Sequence, residues 1–220
     1  MAKKIKNENA GAVVEAVSKT ERFLNKNIKL LAGIAGAIML SLVGFYLWFA
    51  YYYQPLAEEA KGQMAYAEQY FCLGDFNRAM NGDDNYPGFA EIIEDYGHTA
   101  PNSAYLYAGI CELQLNNWES AISYLKEYDG DDDILAARTL ACIGDAYVAL
   151  ENYEEALNYF EEASTVIDNV YAADYLIKAG AVAEKLGQNE KALEFYNIIK
   201  EQYPMSPVGY EIDKYIGRLQ

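Results

Sequence analysis

The chain has 220 residues, and 17 basic against 33 acidic side chains give it a formal net charge of −16. So acidic a protein has no basic stripe to meet phosphates, which argues against a nucleic-acid partner. Cys72, Cys111 and Cys142 are widely spaced without a CxxC pair, and His98 is the single histidine. That inventory argues against a zinc site, permits at most one internal disulfide, and suits small side chains buried between helices.

Residues 1–29 form a basic tail. Lys3, Lys4, Lys6, Lys19, Arg22, Lys26 and Lys29 face Glu8, Glu15 and Glu21, so seven minus three gives +4. From Gly11 onward, Val13, Val14, Val17, Phe23 and Leu24 predict an amphipathic helix. Such a helix rests on an anionic leaflet, touches a cytosolic partner, or serves only as a charged flank that sets orientation.

Residues 30–53, from Leu30 to Tyr53, run 24 positions without a charge or a proline. As a helix they rise about 36 Å, enough to cross a hydrocarbon core of about 30 Å. The rest of the chain carries ten basic and thirty acidic residues, a balance of −20, so the basic excess lies in the short N-terminal flank. The positive-inside tendency therefore places the N-terminus in the cytoplasm and residues 54–220 outside it. Phe45, Tyr46, Trp48, Phe49 and Tyr51 to Tyr53 gather at the outer end as an interfacial belt. The bulky Trp48 just before Ala50 is a poor cleavage context, so an uncleaved signal anchor is expected. Gly33 with Ala37, and Ala32 with Gly36, have the small-xxx-small spacing that admits a neighbouring helix.

Residues 54–220 are long enough for one domain with a substantial core. Three windows within them align without gaps: residues 104–125, 140–163 and 176–204. In each, a glycine is followed twelve positions later by alanine: Gly109 and Ala121, Gly144 and Ala156, Gly180 and Ala192. The alanines recur at 35 and 36 residues. Glycine or alanine at a helix crossing lets two axes approach, while tyrosine, tryptophan and phenylalanine fill the next layer.

This pattern resembles the tetratricopeptide repeat family, whose period is 34 residues. The second window has Leu140, Gly144, Tyr147, Tyr153, Ala156, Phe160 and Ala163 at the signature places, and the third has Gly180, Gly187, Ala192, Tyr196 and Pro204. The first has Tyr105, Gly109, Trp118, Ala121 and Leu125, but Glu112 stands where an aromatic is usual. A broken copy covers residues 60–101: Tyr70, Gly74, Phe76 and Ala79 match, and the loop formers of 81–88 then interrupt its second helix. The insertion, about ten residues against the repeat period, is a recognition loop, a metal loop or a tolerated surface excursion. Residues 205–220, with Tyr210, Ile212, Tyr215, Ile216 and Leu219, suit a solvating cap helix. The resemblance implies an all-α fold: a transmembrane helix, then a solenoid of about four helix pairs with a C-terminal cap.

No catalytic motif appears: the sequence has no phosphate loop, GxSxG or HExxH. His98 sits in a predicted turn, and Asp129, Asp131, Asp132 and Asp133 lack calcium-loop spacing and suit the start of a helix near Ile134. No cofactor, metal or enzymatic activity is expected. By resemblance, the first helices of the pairs line a protein-binding groove. Its expected residues are Met64, Glu68, Phe71, Leu106, Ile110, Leu113, Arg138, Asp145, Val148, Asp174, Ile177 and Glu184, an apolar face edged with acid. The layout as a whole is similar to the YfgM-like family, ancillary subunits of the Sec translocon in the bacterial inner membrane. That likeness implies an anchored adaptor with a periplasmic domain, passing secreted chains to chaperones. The alternative is a structural scaffold for another cell-envelope complex.

Overall fold

The computed structural model describes the backbone of residues 2–220 and the side chains of Glu21 and residues 26–220. Among the described residues every regular element is helical. The chain divides into two units, Met1–Pro55 and Leu56–Gln220.

The first unit holds α1 (Ala2–Trp48) and a π-helical turn, Phe49–Tyr53. A helix long and apolar enough to cross a membrane is present; its most apolar 18-residue window has a mean hydropathy of 2.2 and no buried residue. Glycine, alanine and large aliphatic side chains together leave that surface uniformly apolar, as lipid requires. The aromatic cluster stacks along it, with Phe49 and Tyr53 ring centres 5.4 Å apart and Phe45 and Trp48 at 5.9 Å. Helical backbone covers the stretch from Gly11 to Leu24, but the side chains of its expected apolar face lie outside the described residues.

The second unit is a run of antiparallel helix pairs. Helix α2 (Gln54–Cys72) precedes two short helices, α3 (Phe76–Asn81) and α4 (Phe89–Tyr96). Then come α5 (Asn102–Gln114) with α6 (Trp118–Lys126), α7 (Asp133–Ala149) with α8 (Tyr153–Val166), and α9 (Val170–Lys185) with α10 (Asn189–Gln202). The last helix, α11 (Ile212–Leu219), buries Ile212 and Ile216 against the final pair.

Each pair turns at the same place. Gly74, Asn116, Glu151 and Gly187 all take positive φ, between 58° and 75°, and the chain then enters the second helix. Only a left-handed residue reverses the chain this tightly, which glycine does at least cost and asparagine tolerates. Asp75 and Asn152 follow as caps, accepting from the backbone N–H groups of Arg78 and Glu155 at 3.2 and 3.4 Å.

The crossing glycines set the spacing within each pair. A Cβ on Gly109 would overlap Leu125, one on Gly144 would meet the Phe160 ring, and one on Gly180 would meet the Tyr196 ring. All three opposing side chains are buried and cannot swing away. We therefore expect Gly180→Ala to lower stability by about 1–3 kcal/mol in urea titration followed by circular dichroism. Gly62→Ala, at a helical position with open space around it, should instead raise stability by roughly 0.5–1 kcal/mol.

Candidate functional site

The first helices of the pairs, α5, α7 and α9, form one face of the solenoid. On it Ile110, Leu113, Val148 and Ile177 are half-buried and Arg138 is exposed. Two of the expected groove residues are core instead, and a third, Phe71, is half-buried against the core. Met64 and Leu106 are buried, and the Phe71 ring packs between Phe76, Phe89 and Tyr107. The remaining expected residues, Glu68, Asp145, Asp174 and Glu184, are half-buried.

Two of the four acids on that edge, Asp145 and Glu184, are neutralised internally. Lys178 Nζ donates to both oxygens of Asp145 at 2.7 Å, bridging α7 and α9, and its ammonium lies 5.4 Å from the Phe160 ring centre. Glu184 accepts from the Tyr196 hydroxyl and from Arg218 of the cap helix, both at 2.5 Å. Burial, and then the Glu184 carboxylate, hold the Tyr196 hydroxyl well above the usual tyrosine range. Lys178 and Arg218, the partners of these two acids, are residues that motif matching does not find. Their signal is an opposite charge 33 or 34 positions after each acid, close to one repeat.

The insertion at 81–88 is tied down. Asp83 accepts from the Tyr70 hydroxyl at 2.5 Å and from the backbone N–H groups of Asn85 and Tyr86 at 2.8 and 3.0 Å. The Tyr70 hydrogen bond, and then that from Asn85, hold the Asp83 carboxyl below its ordinary value. Tyr86 stacks on Tyr66 of α2. The loop is thus folded back on α2, while α3 and α4 share the place of one second helix against α5. Among the described residues, no group of three or more His, Cys, Asp or Glu side chains is placed to hold a metal ion. Asp132 caps α7 by accepting from the Leu135 N–H at 2.9 Å.

Two features stand out chemically. Glu112 is 9% exposed, and its Oε2 has no hydrogen-bond partner among the described residues. A buried carboxylate left unpaired costs more than the neutral amide of the same shape. Glu112→Gln should therefore stabilise the domain by about 1 kcal/mol; a lower urea midpoint would mean that the carboxylate is held by a partner. The three thiols are unpaired, with Cys72 exposed and Cys111 and Cys142 buried. Burial pushes the Cys111 thiol up to about 12 and raises Cys142 as well. Since the thiolate is the nucleophile, a thiol reagent should label one cysteine in the folded protein, Cys72, and all three in denaturant, as read by peptide mass spectrometry.

A tetratricopeptide repeat profile matches residues 135–198, and the profile described as anaphase-promoting complex, cyclosome, subunit 3 matches residues 88–163. None of the curated proteins matches the sequence. Among solved structures, one of MamA protein aligns with a TM-score of 0.56 at 20% identity, covering 74% of this chain and 86% of that one. A second MamA structure aligns at 0.53 and 19% identity, covering 70% and 91%. At such identities the likeness is one of fold. Beyond its apolar N-terminal helix, the chain is a tetratricopeptide-type helical solenoid, the architecture of a protein-interaction scaffold.

Proposed function

We propose that the protein is an inner-membrane adaptor beside the Sec translocon. Its basic tail lies in the cytoplasm, its apolar helix crosses the bilayer, and its solenoid stands in the periplasm. There it binds a segment of an emerging chain or of a chaperone on the face of α5, α7 and α9. The observation that carries this reading is the apolar strip Ile110, Leu113, Val148 and Ile177, half-buried on three successive first helices. Side chains at such positions keep accessible area for an extended or helical ligand, while the ion pair of Asp145 with Lys178 fixes the spacing between two of those helices.

The charge distribution supports the orientation: +4 before the span and −20 after it, with the basic residues close to the apolar helix. The aromatic cluster at Phe45–Tyr53 supports an interfacial position for the outer end.

A photo-crosslinking amino acid placed at Val148 of the full-length protein in cells tests the reading. Crosslinks to translocon subunits, secreted chains or a periplasmic chaperone are expected, with yield falling at least tenfold when Ile110→Asp and Ile177→Asp are added. Recovery of an intact translocon in mild detergent without this protein, and no crosslink from Val148, would overturn it. A crosslink to a single folded envelope protein would support the scaffold role instead.

A further inference from the structure

The junctions that lead from one pair into the next carry an apolar row of their own. Ile134 and Val170 each precede the crossing glycine of their helix by ten positions, and they are 47% and 46% exposed. Met205, in the following junction, is 78% exposed. The three are separated by 36 and 35 residues, the period of the solenoid itself. Adjacent junctions lie side by side: the Tyr203 hydroxyl donates to the Asp168 carboxylate at 3.1 Å. A cleft of about 340 Å³, mostly apolar, opens between Val170 and Met205. A second, of about 480 Å³, lies by Tyr128 and Val166 at the preceding junctions. Scattered exposed apolar residues are ordinary on any surface, but a row with repeat spacing, a cleft between Val170 and Met205 and a second cleft close by is a patch.

The same junctions are acidic. Residues 127–135, 165–171 and 201–210 hold five, one and one carboxylates, seven in all, and no lysine or arginine. All seven are exposed. Asp132 is occupied as a helix cap and Asp168 by Tyr203. The charge around the row is therefore predominantly negative, seven carboxylates against Lys126 at the second cleft, on a strip whose centre is apolar.

We propose that this edge is a second docking surface, separate from the face of the first helices, for a basic protein segment carrying apolar side chains. Apolar anchors fill the two clefts, and lysine or arginine side chains of the partner meet the carboxylates along the rim. The charge selects this occupant over the others. A second copy would bring one domain of −20 against another, and an anionic leaflet would be repelled by the same carboxylates. The proposal does not rest on the adaptor role.

Fluorescence anisotropy on the full-length protein in neutral-lipid nanodiscs tests it. The probes are a labelled 20-residue peptide with leucines on one helical face and lysines on the other, and a control with the same lysines but serines for the leucines. The leucine peptide should bind at least tenfold more tightly than the control. Combining Ile134→Ser, Val170→Ser and Met205→Ser leaves the charge unchanged and should weaken binding at least tenfold, with circular dichroism unaltered. Met205→Ser alone should weaken it about threefold. Ile110→Asp with Ile177→Asp, on the other face, should change it less than twofold. Undiminished binding by the triple variant and by Met205→Ser overturns the proposal, as does equal binding of both peptides. Loss of binding only in the Ile110 and Ile177 variant would overturn it in favour of the first-helix face. Wild-type dimers that dissociate in the triple variant, without peptide binding, would assign the edge to a second copy and overturn the basic-segment occupant.

Discussion

The solenoid depends on three places where a helix has no side chain. At Gly109, Gly144 and Gly180 the first helix of a pair comes so close to its second helix that the opposing Leu125, Phe160 or Tyr196 occupies the space of a Cβ. Close packing of this kind has few alternative solutions, because interiors are as dense as organic crystals. The crossing therefore fixes the distance between the two axes, and the buried alanines around it, such as Ala121, Ala156 and Ala192, keep that distance along the interface. The rest of each pair follows: a left-handed residue to reverse the chain and aromatic rings to fill the layer beyond, with a side-chain cap from Asn152 starting the return in the α7–α8 pair.

Between pairs, packing is supplemented by charge. Asp145 with Lys178, Glu161 with Lys191 and Glu184 with Arg218 are each separated by 30 to 34 residues and join helices of neighbouring pairs or the cap. These pairs are partly exposed, so each adds little to stability by itself. Their effect is geometric: they hold successive helices in register and consume acids that would otherwise project from the surface. The junctions between pairs, with seven carboxylates and no lysine or arginine in 127–135, 165–171 and 201–210, keep their acidity without such partners on their own segments.

Much of this architecture was legible in the sequence, because the Gly–Ala spacing of twelve residues and its recurrence report the crossings directly. The apolar N-terminal run was equally plain. The site was less so. Family alignment identifies which helix a residue belongs to, but Met64 and Leu106 lie where a neighbouring element covers the first helix, and both are core. Asp145 and Glu184 read as free acids, since their partners Lys178 and Arg218 sit about one repeat later and outside any motif. The insertion gave itself away by composition, yet its anchoring by Asp83 to Tyr70 rests on a contact across thirteen positions that no turn rule supplies. Glu112 is the reverse case: its departure from the family pattern was visible at once, and the structure adds that one of its side-chain oxygens is buried without a hydrogen-bond partner among the described residues.

The three unpaired cysteines carry a consequence of their own. Cys111 and Cys142 lie within separate core clusters, held there as small apolar groups, and Cys72 stands apart on the surface of α2. No covalent bridge takes part in the fold, so maturation of the domain needs neither an oxidase nor an isomerase. Redox chemistry at the cysteines therefore reaches the exposed Cys72 on α2 and is kept from Cys111 and Cys142 by the surrounding core.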